Sequence, residues 1–340
     1  MKKELMEGSG PQAVPLAQHV LLLGATGTVG RASLRALLAC GHKVTCFVRE
    51  RSRVVPWPDR PDPDRLRILG GALLDPRCWA EQVFGGERVD AVLSCLASRT
   101  GAPADAWAID HQAHVLALEA ARRAGVRRMV LLSAICVQKP QLEFQRAKLA
   151  FEQRLIDSGL SYSIVRPTAF FKSLSGQVDR VRAGRPFMVF GDGRLTACKP
   201  IDDDDLAGYL ADCLSNPARF DRILPIGGPG PAITPREQGE RLFEMLGVRP
   251  RFRQVPVRMM DAIVAGLGWG GRWLPRLAER AEFARIGRYY ATESMLVWDP
   301  LRQCYDADAT PSTGTRTLWD HYDDLIAGRS SHERGEHSVF

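Results

Sequence analysis

The stretch Gly24-Ala25-Thr26-Gly27-Thr28-Val29-Gly30 lies between an apolar run at 19–23 and a segment at 31–40 whose apolar residues have helical spacing. Glycines in such a turn let the backbone approach a phosphate group closely, and the following helix N-terminus offers unpaired N–H groups. The spacing G-x-x-G-x-x-G only approximates the commoner G-x-G-x-x-G. Because the loop joins a first strand to a first helix, we predict that it binds nucleotide phosphates rather than forming an ordinary turn.

Strand-like and helix-like segments continue to alternate after this loop. Apolar strand patterns occupy 43–48, 66–69, 89–94, 128–133 and 162–165. Helical patterns separate them at 75–83, 109–124 and 143–158. This alternation is typical of an α/β protein, and it predicts a Rossmann-type doubly wound parallel sheet with crossover helices.

The end of the second strand, Phe47-Val48-Arg49-Glu50-Arg51, bears on the choice of cofactor. NAD enzymes often place a carboxylate here on the ribose 2′-hydroxyl, whereas an arginine accommodates the 2′-phosphate of NADP. Arg49, helped by Arg51 or Arg53, therefore favours NADPH. Glu50 leaves NADH open as the alternative.

The same patterns divide the chain into four parts. We predict a flexible tail at 1–18, an NADPH-binding Rossmann domain at 19–166, a substrate-binding region at 167–328 and a flexible tail at 329–340. Short strands are expected at 181–190 and 223–226, and helical patterns dominate 234–290. The substrate-binding region should therefore be smaller and mostly helical, with some strands returning to the Rossmann sheet.

Composition excludes several classes of partner. The net charge of +7 suits an anionic cofactor, an acidic substrate or an anionic membrane surface. The basic residues are scattered without an accompanying aromatic motif, so no nucleic-acid partner is expected. Eight cysteines without a C-x-x-C pair, and no apolar signal segment, predict a cytoplasmic protein with reduced thiols. No window approaches the roughly 18 apolar residues of a membrane span, so any membrane contact should be peripheral.

Several motifs resemble the short-chain dehydrogenases/reductases, and more narrowly their atypical members related to NmrA and isoflavone reductase. These are the glycine loop, the run Arg-Ala-Gly-Val at 123–126 and the strand ending Leu132-Ser133-Ala134. That family normally carries Tyr-x-x-x-Lys on the helix after strand five, where this chain has Phe144-Gln145-Arg146-Ala147-Lys148. A tyrosine hydroxyl passes a proton to or from a substrate oxygen, and phenylalanine cannot. The protein is therefore expected either to reduce something other than a ketone or to sense NADP without catalysis.

Four longer segments narrow the resemblance. Those at 136–148, 166–174, 198–201 and 290–295 resemble the divinyl chlorophyllide 8-vinyl reductases, and the likeness covers most of the chain, from His19 to Pro300. The resemblance implies NADPH-dependent reduction of the 8-vinyl group of a magnesium tetrapyrrole, divinyl chlorophyllide or protochlorophyllide, to ethyl. Hydride addition to a vinyl carbon leaves charge that the macrocycle delocalises, so no alkoxide needs a tyrosine proton. Peripheral contact with the photosynthetic membrane is a corollary.

The resemblance also implies roles for individual residues. Lys148 is expected to hold the nicotinamide ribose, or else to relay a proton, and Tyr289 or Tyr290 is a candidate for the missing proton donor. Besides the glycine loop, Arg49 and Arg53, the expected cofactor contacts are Ser94, Cys95, Leu96, Ser133, Ala134, Arg166, Pro167 and Thr168. The expected substrate contacts are Phe144, Phe170, Phe171, Lys172, Trp269 and Trp273. For the five aromatic residues among these, a place in an ordinary core is an equal alternative; for Trp269 and Trp273 that would be the core of a helical subdomain.

Two features have simpler explanations than the sites they suggest. His111 and His114 have helical spacing but no third ligand nearby, so no protein-bound metal is expected and any magnesium would arrive within the substrate. The acidic run at 202–205 is expected to cap a helix that begins near Leu206. Three functions remain open: the vinyl reductase, another atypical reductase of a conjugated alkene, and a non-catalytic NADP-binding redox sensor. The sequence leaves the oligomeric state undetermined.

Overall fold

A computed structural model describes residues 17–49, 62–271, 273 and 275–329. The prediction for Arg53 lies outside the described residues, as do most of the two predicted tails. The strands are β1 (His19–Leu23), β2 (Lys43–Val48), β3 (Leu66–Gly70), β4 (Ala91–Ser94), β5 (Arg128–Leu132), β6 (Ser161–Pro167), β7 (Phe187–Phe190), β8 (Arg222–Ile226), β9 (Phe252–Val255), β10 (Val297–Asp299) and β11 (Cys304–Asp306). The helices are α1 (Thr28–Ala39), α2 (Pro103–Ala106), α3 (His114–Arg123), α4 (Glu143–Ile156), α5 (Phe171–Leu174), α6 (Val178–Arg182), α7 (Asp203–Asp212), α8 (Pro235–Met245), α9 (Val257–Gly271), α10 (Pro275–Thr292) and α11 (Leu318–Ile326).

A seven-stranded sheet with the order β3-β2-β1-β4-β5-β6-β8 organises the fold. All its neighbouring strands pair in parallel, which confirms the predicted Rossmann-type doubly wound sheet. The strand order reverses between β1 and β4, and ligands of such sheets bind at the carboxyl edge beside this reversal. The loops after β1, β4, β5 and β6 therefore define the region in which to look for a site.

Burial on both faces of the sheet explains why the strands read as continuous apolar runs. Leu21 and Leu23 of β1 pack into one core cluster, whereas Val20 and Leu22 pack into a second one. Both faces of the sheet are thus covered, and each fully buried leucine contributes roughly 1.5–3 kcal/mol relative to its exposed state. The second cluster includes Leu206 and Leu210 of α7, which packs beside α1.

The region after β6 differs in part from its sequence prediction. The strand expected at 181–190 is shorter than predicted: β7 covers only its last four residues, and its first two residues are the end of the short helix α6. Strand β9 was not predicted, because it lies among helical patterns and half of it, Arg253 and Gln254, is exposed and polar. It pairs in parallel with β7 in a separate two-stranded sheet. The expected return of a strand to the main sheet is confirmed by β8.

Helix α7 begins where the acidic run predicted a cap. The Asp202 side chain accepts a hydrogen bond from the Asp204 N–H at 3.0 Å, and Asp203, Asp204 and Asp205 occupy the first turn. Negative charge is favourable at this end of a helix. The prediction that this run serves as a cap is confirmed.

Within the described residues, no helix combines the length and the apolar character required to cross a bilayer.

Candidate active site

The glycine loop after β1 is built from close backbone contacts. Gly24 has a positive φ of 78°, and a side chain there would lie 2.5 Å from the backbone of Cys95. A side chain on Gly30 would collide with the Gly24 carbonyl oxygen, whereas one on Gly27 would remain 3.5 Å from it. The Gly27 N–H donates to the Gly24 carbonyl at 3.0 Å, closing the turn. Two of the three glycines are therefore required by the fold of the loop itself.

The loop leads into a helix end suited to an anion. Gly27 is the N-cap of α1 and supplies no side-chain acceptor, and the first turn contains no carboxylate. The N–H groups of Thr28, Val29 and Gly30 stand in this first turn, where a phosphate binds favourably. The Lys172 ammonium lies 3.4 Å from the Thr28 hydroxyl and adds positive charge. This arrangement fits the pyrophosphate of a dinucleotide, and it argues against the predicted contact of Lys172 with the substrate.

The end of β4 forms the adjoining wall. The Cys95 N–H donates to the Leu23 carbonyl at 2.9 Å, which fixes the chain against the glycine loop. The Ser94 hydroxyl accepts from the Leu96 N–H at 3.3 Å and lies 2.8 Å from His114 Nε2. The predicted residues Ser94, Cys95 and Leu96 therefore border the loop.

The His114 ring lies next to Ser94 and is neutral, with its Nε2 as a hydrogen-bond acceptor. Its Nδ1 lies 2.9 Å from the Ile109 carbonyl, which can only accept, so Nδ1 carries the proton and Nε2 accepts from the Ser94 hydroxyl. Burial, and secondarily the charge of Lys148, lower the pKa of His114 to about 4. The geometry gives this histidine a structural part in the site.

A buried ion pair, absent from the sequence predictions, holds Lys148. The lysine ammonium donates to Asp110 Oδ1 at 2.8 Å, and the Ser98 N–H donates to the same oxygen at 3.2 Å. The lysine side chain is 13% exposed and that of Asp110 is fully buried. Burial alone would raise the pKa of Asp110, but the charge and hydrogen bond of Lys148 hold it below its ordinary value. Asp110 Oδ2 is buried without a hydrogen-bond partner and borders a small cavity that Lys148 and His114 also line.

A second buried pair crosses the ends of β5 and β6. The Arg166 guanidinium donates to both carboxylate oxygens of Glu152 on α4, and the Ser133 hydroxyl donates to Oε1 of the same carboxylate. The Thr168 hydroxyl donates to the Lys199 carbonyl. Arg166, Ser133 and Thr168 thus lie at the predicted edge, but their polar side chains are already engaged within the protein. For these three residues, and for Ala134 and Pro167, the predicted contact with the cofactor could be made by backbone atoms, and it stays a prediction.

Comparison with known proteins agrees with this geometry. Residues 24–217 match the NAD(P)H-binding protein family. The chloroplastic divinyl chlorophyllide a 8-vinyl-reductase of Oryza sativa subsp. indica is 46% identical over 336 residues, covering 96% of this chain and 83% of the relative. The enzyme of the same name from Cucumis sativus is also 46% identical, covering 96% of this chain and 80% of its own. This chain belongs to the divinyl chlorophyllide a 8-vinyl-reductase family.

Solved structures support the fold of this vinyl-reductase family member. The NADPH-dependent quinone oxidoreductase of Escherichia coli, solved with NADPH, superposes with a TM-score of 0.64. The alignment covers 90% of this chain and 99% of the oxidoreductase, at 16% sequence identity. At that identity the likeness concerns the fold alone.

In this family member, Phe144 stands where related reductases carry a tyrosine. Phe144 is half-buried on α4, four residues before Lys148, and packs with Ile286 of α10 around Gly101. Helix α10 thus lies beside Phe144 through Ile286. The predicted contact between Phe144 and the substrate stays a prediction.

The two candidate tyrosines on α10 differ in their surroundings. The Tyr289 hydroxyl is buried and donates to the Cys136 carbonyl at 2.9 Å, with the Lys139 carbonyl at 3.2 Å. This bond braces α10 against the loop after β5 and argues against Tyr289 as a proton donor. The Tyr290 hydroxyl lies 3.9 Å from Cys136 Sγ, and burial holds its pKa well above the ordinary range. It stays neutral, and its catalytic role stays a prediction.

The remaining predicted substrate residues do not converge on one place. Phe171 is buried in a separate core cluster with Phe187 and Leu318, which argues against a substrate contact. Phe170 is half-buried and packs on the second core cluster beneath the sheet edge. Trp269 and Trp273 are 73% and 80% exposed, so the alternative of an ordinary core position for them is wrong. Arg49 is exposed at the end of β2, as a contact to a ribose phosphate requires.

Among the residues that the structure describes, no three histidine, cysteine, aspartate or glutamate side chains converge as metal ligands. His111 and His114 do not share a ligand site, because the His114 ring is used by Ser94 and Ile109.

Proposed function

We propose that this protein reduces the 8-vinyl group of divinyl chlorophyllide a, or of its protochlorophyllide counterpart, to an ethyl group with NADPH. The observation that carries the proposal is the 46% identity to vinyl reductases over 96% of the chain. The magnesium of the substrate arrives within the tetrapyrrole, and the protein holds the macrocycle and the nicotinamide in register. Reduction to ethyl adds a hydride from NADPH to one vinyl carbon and a proton, from water or a protein donor, to the other.

The cofactor assignment is supported by positive groups at two different points of the expected dinucleotide site. Lys172 stands beside the first turn of α1, where the pyrophosphate would bind, and Arg49 stands at the end of β2, where the ribose 2′-phosphate of NADPH would lie. NADPH, when bound, supplies the hydride. The side chains of this site bind and orient its phosphates and ribose.

Phenylalanine at position 144 favours an alkene over a ketone as the reduced group. Reduction of a ketone develops charge on one oxygen, which a neighbouring hydroxyl must stabilise and protonate. Reduction of a conjugated vinyl group spreads that charge through the macrocycle, so an apolar ring beside the site is compatible with the chemistry. Lys148 is proposed to bind the nicotinamide ribose, and its pairing with Asp110 would fix the position of its ammonium.

The substrate also suggests where the protein works. A tetrapyrrole is a broad apolar plate with a carboxylate at one edge, so it partitions to membrane surfaces. We propose a peripheral association with such a surface, and the reaction itself requires no partner other than the tetrapyrrole and NADPH.

Anaerobic incubation of the purified protein with divinyl chlorophyllide a tests the proposal. NADPH and NADH are supplied separately, and the divinyl and monovinyl pigments are resolved by chromatography. We expect conversion to the monovinyl pigment with NADPH. If NADPH binds but the dissolved substrate is unchanged, another conjugated alkene becomes the better candidate. If no conjugated alkene is reduced either, the redox-sensor function replaces it.

The variant Arg49→Ala tests the cofactor assignment separately. A hydrogen bond to a charged group contributes about 1.5–3 kcal/mol, so the Kd for NADPH should rise about 10-fold to 100-fold while that for NADH stays unchanged. Fluorescence titration with each nucleotide measures both constants. Equal weakening of the two would refute a role for Arg49 at the 2′-phosphate.

A further inference from the structure

Helix α9 is apolar around its whole circumference and yet is not buried. Of its 15 residues, only Arg258 and Asp261 are charged, and none of the residues at 257–270 is buried. It packs against α10, to which Asp261 is joined by an ion pair with Arg288. A helix that is apolar on all sides normally lies inside a protein or against lipid. Something outside the described chain is therefore expected to cover it.

Five large apolar side chains of this helical hairpin are exposed. The hairpin patch consists of Met259, Ile263, Trp269, Trp273 and Phe283, each with 41–80% of its surface exposed. Trp269 and Trp273 lie near the turn that joins the two helices. Tyr290 lies at the opposite end of α10. Large exposed apolar side chains concentrated on one hairpin in this way are typical of an interaction surface.

Charge and composition identify the occupant as an anionic lipid surface. Residues 257–292 contain six arginines and three carboxylates, and Arg258 and Arg280 are exposed on the described part of the hairpin. Exposed tryptophan together with arginine is typical of segments that lie at a membrane interface, where the rings sit at the headgroup level and the cations meet anionic lipids. Helix α9 spans about 22 Å at 1.5 Å per residue, which is too short to cross a bilayer core of about 30 Å. It is long enough to lie in the interface.

We propose that the hairpin of α9 and α10 is the membrane-docking element of this protein, with the hairpin patch inserted among the headgroups of an anionic bilayer. The role of this hairpin in delivering the substrate rests on the proposed function. Helix α10 carries the patch residue Phe283 and also Ile286, which packs beside Phe144. The same helix therefore links the lipid surface to the site in which a membrane-partitioned tetrapyrrole would be reduced.

Vesicle co-sedimentation of the full chain tests the proposal. Vesicles of phosphatidylcholine alone are compared with vesicles containing an equal share of phosphatidylglycerol, in the absence of NADPH and pigment. We expect binding that is at least tenfold stronger to the anionic vesicles and that weakens as salt is raised. The double variant Trp269→Ser/Trp273→Ser should lose at least tenfold in affinity. The matched control is Leu301→Ser, because Leu301 is 94% exposed outside the hairpin, and it should bind as the unaltered chain does.

Tryptophan fluorescence with brominated lipids gives a second readout, in which the unaltered chain is quenched and the double variant is quenched much less. Equal binding of the double variant and the unaltered chain would overturn the proposal. So would a dimer, seen by sedimentation velocity, that the double variant converts to a monomer, because a second copy would then cover the patch. Vesicle binding without pigment turnover would instead leave the docking proposal standing and count against the proposed reaction.

Discussion

Removing Asp110 should destabilise the protein through the lysine that it leaves behind. The variant Asp110→Ala deprives the Lys148 ammonium, only 13% exposed, of its counter-charge. Removing one partner of a buried pair typically costs about 3–5 kcal/mol. Because Lys148 keeps some contact with solvent, we expect the lower end, a loss of about 3 kcal/mol in the free energy of unfolding.

Removal of the lysine charge, alone and together with Asp110, shows whether the charges themselves cause the loss of stability. Lys148→Met leaves a fully buried carboxylate and should lose about 4 kcal/mol, near the middle of the same range. The double variant leaves neither charge unpaired, so its loss should be smaller than the sum of the two single losses by about 2–3 kcal/mol. Asp110→Asn keeps the shape of the side chain and its acceptor oxygen, so it separates the loss of charge from the loss of packing.

Urea unfolding at pH 7, followed by circular dichroism, measures the unaltered chain and the four variants. The NADPH dissociation constant of each variant, measured in parallel, shows whether a displaced Lys148 also weakens the cofactor. If the loss of the double variant equals the sum of the two single losses to within about 0.5 kcal/mol, the two charges are not coupled and the reasoning fails.

Three further outcomes follow from the site. Gly30→Ala should unfold or greatly destabilise the protein because its methyl group meets the Gly24 carbonyl, whereas Gly27→Ala, with 3.5 Å of space, should keep the thermal midpoint nearly unchanged. For His114, the folded pKa of about 4 lies below the ordinary 6.5, so as the pH falls the unfolded chain binds the proton first. This histidine should therefore remove about 3 kcal/mol of stability between pH 6.5 and 4, a loss that disappears in His114→Gln and is measured by urea unfolding across this range. Phe144→Tyr should keep vinyl reduction within a fewfold of the original rate in the pigment assay, because no hydroxyl is needed at this position. A gain of more than tenfold would contradict this, since it would show that the missing hydroxyl limits the rate.

The parts of the site that follow from local sequence were predictable. The glycine loop and the cap of α7 depend on residues within one turn of each other, so motif and spacing suffice to find them. The position of Lys172 could not be predicted in this way, because it reaches Thr28 across 144 positions. Its surroundings depend on how α5 follows β6. The short strand β9 was missed for a related reason: its pairing with β7 is decided by tertiary contacts and not by periodicity.

Asp110 was missed although the sequence held a signal for it. The histidines at positions 111 and 114 drew attention to this helix, yet the carboxylate beside them is the residue that reaches Lys148. A charged residue in a helix whose neighbours are buried requires a partner of opposite charge. Asking which cation could reach Asp110 would have singled out Lys148, the lysine left without its usual tyrosine.

The replacement of tyrosine by phenylalanine and the pairing of Lys148 with Asp110 are consistent with each other. In a Tyr-x-x-x-Lys site, the ammonium lowers the pKa of the tyrosine hydroxyl and readies it for proton transfer. Here the hydroxyl is absent, and the ammonium is instead neutralised by a carboxylate that burial would otherwise protonate. The ammonium and the carboxylate therefore balance each other's charge about one helical turn from Phe144. An apolar, electrostatically balanced surface suits a reaction whose developing charge is delocalised over a macrocycle, and it would be poorly suited to stabilising an alkoxide.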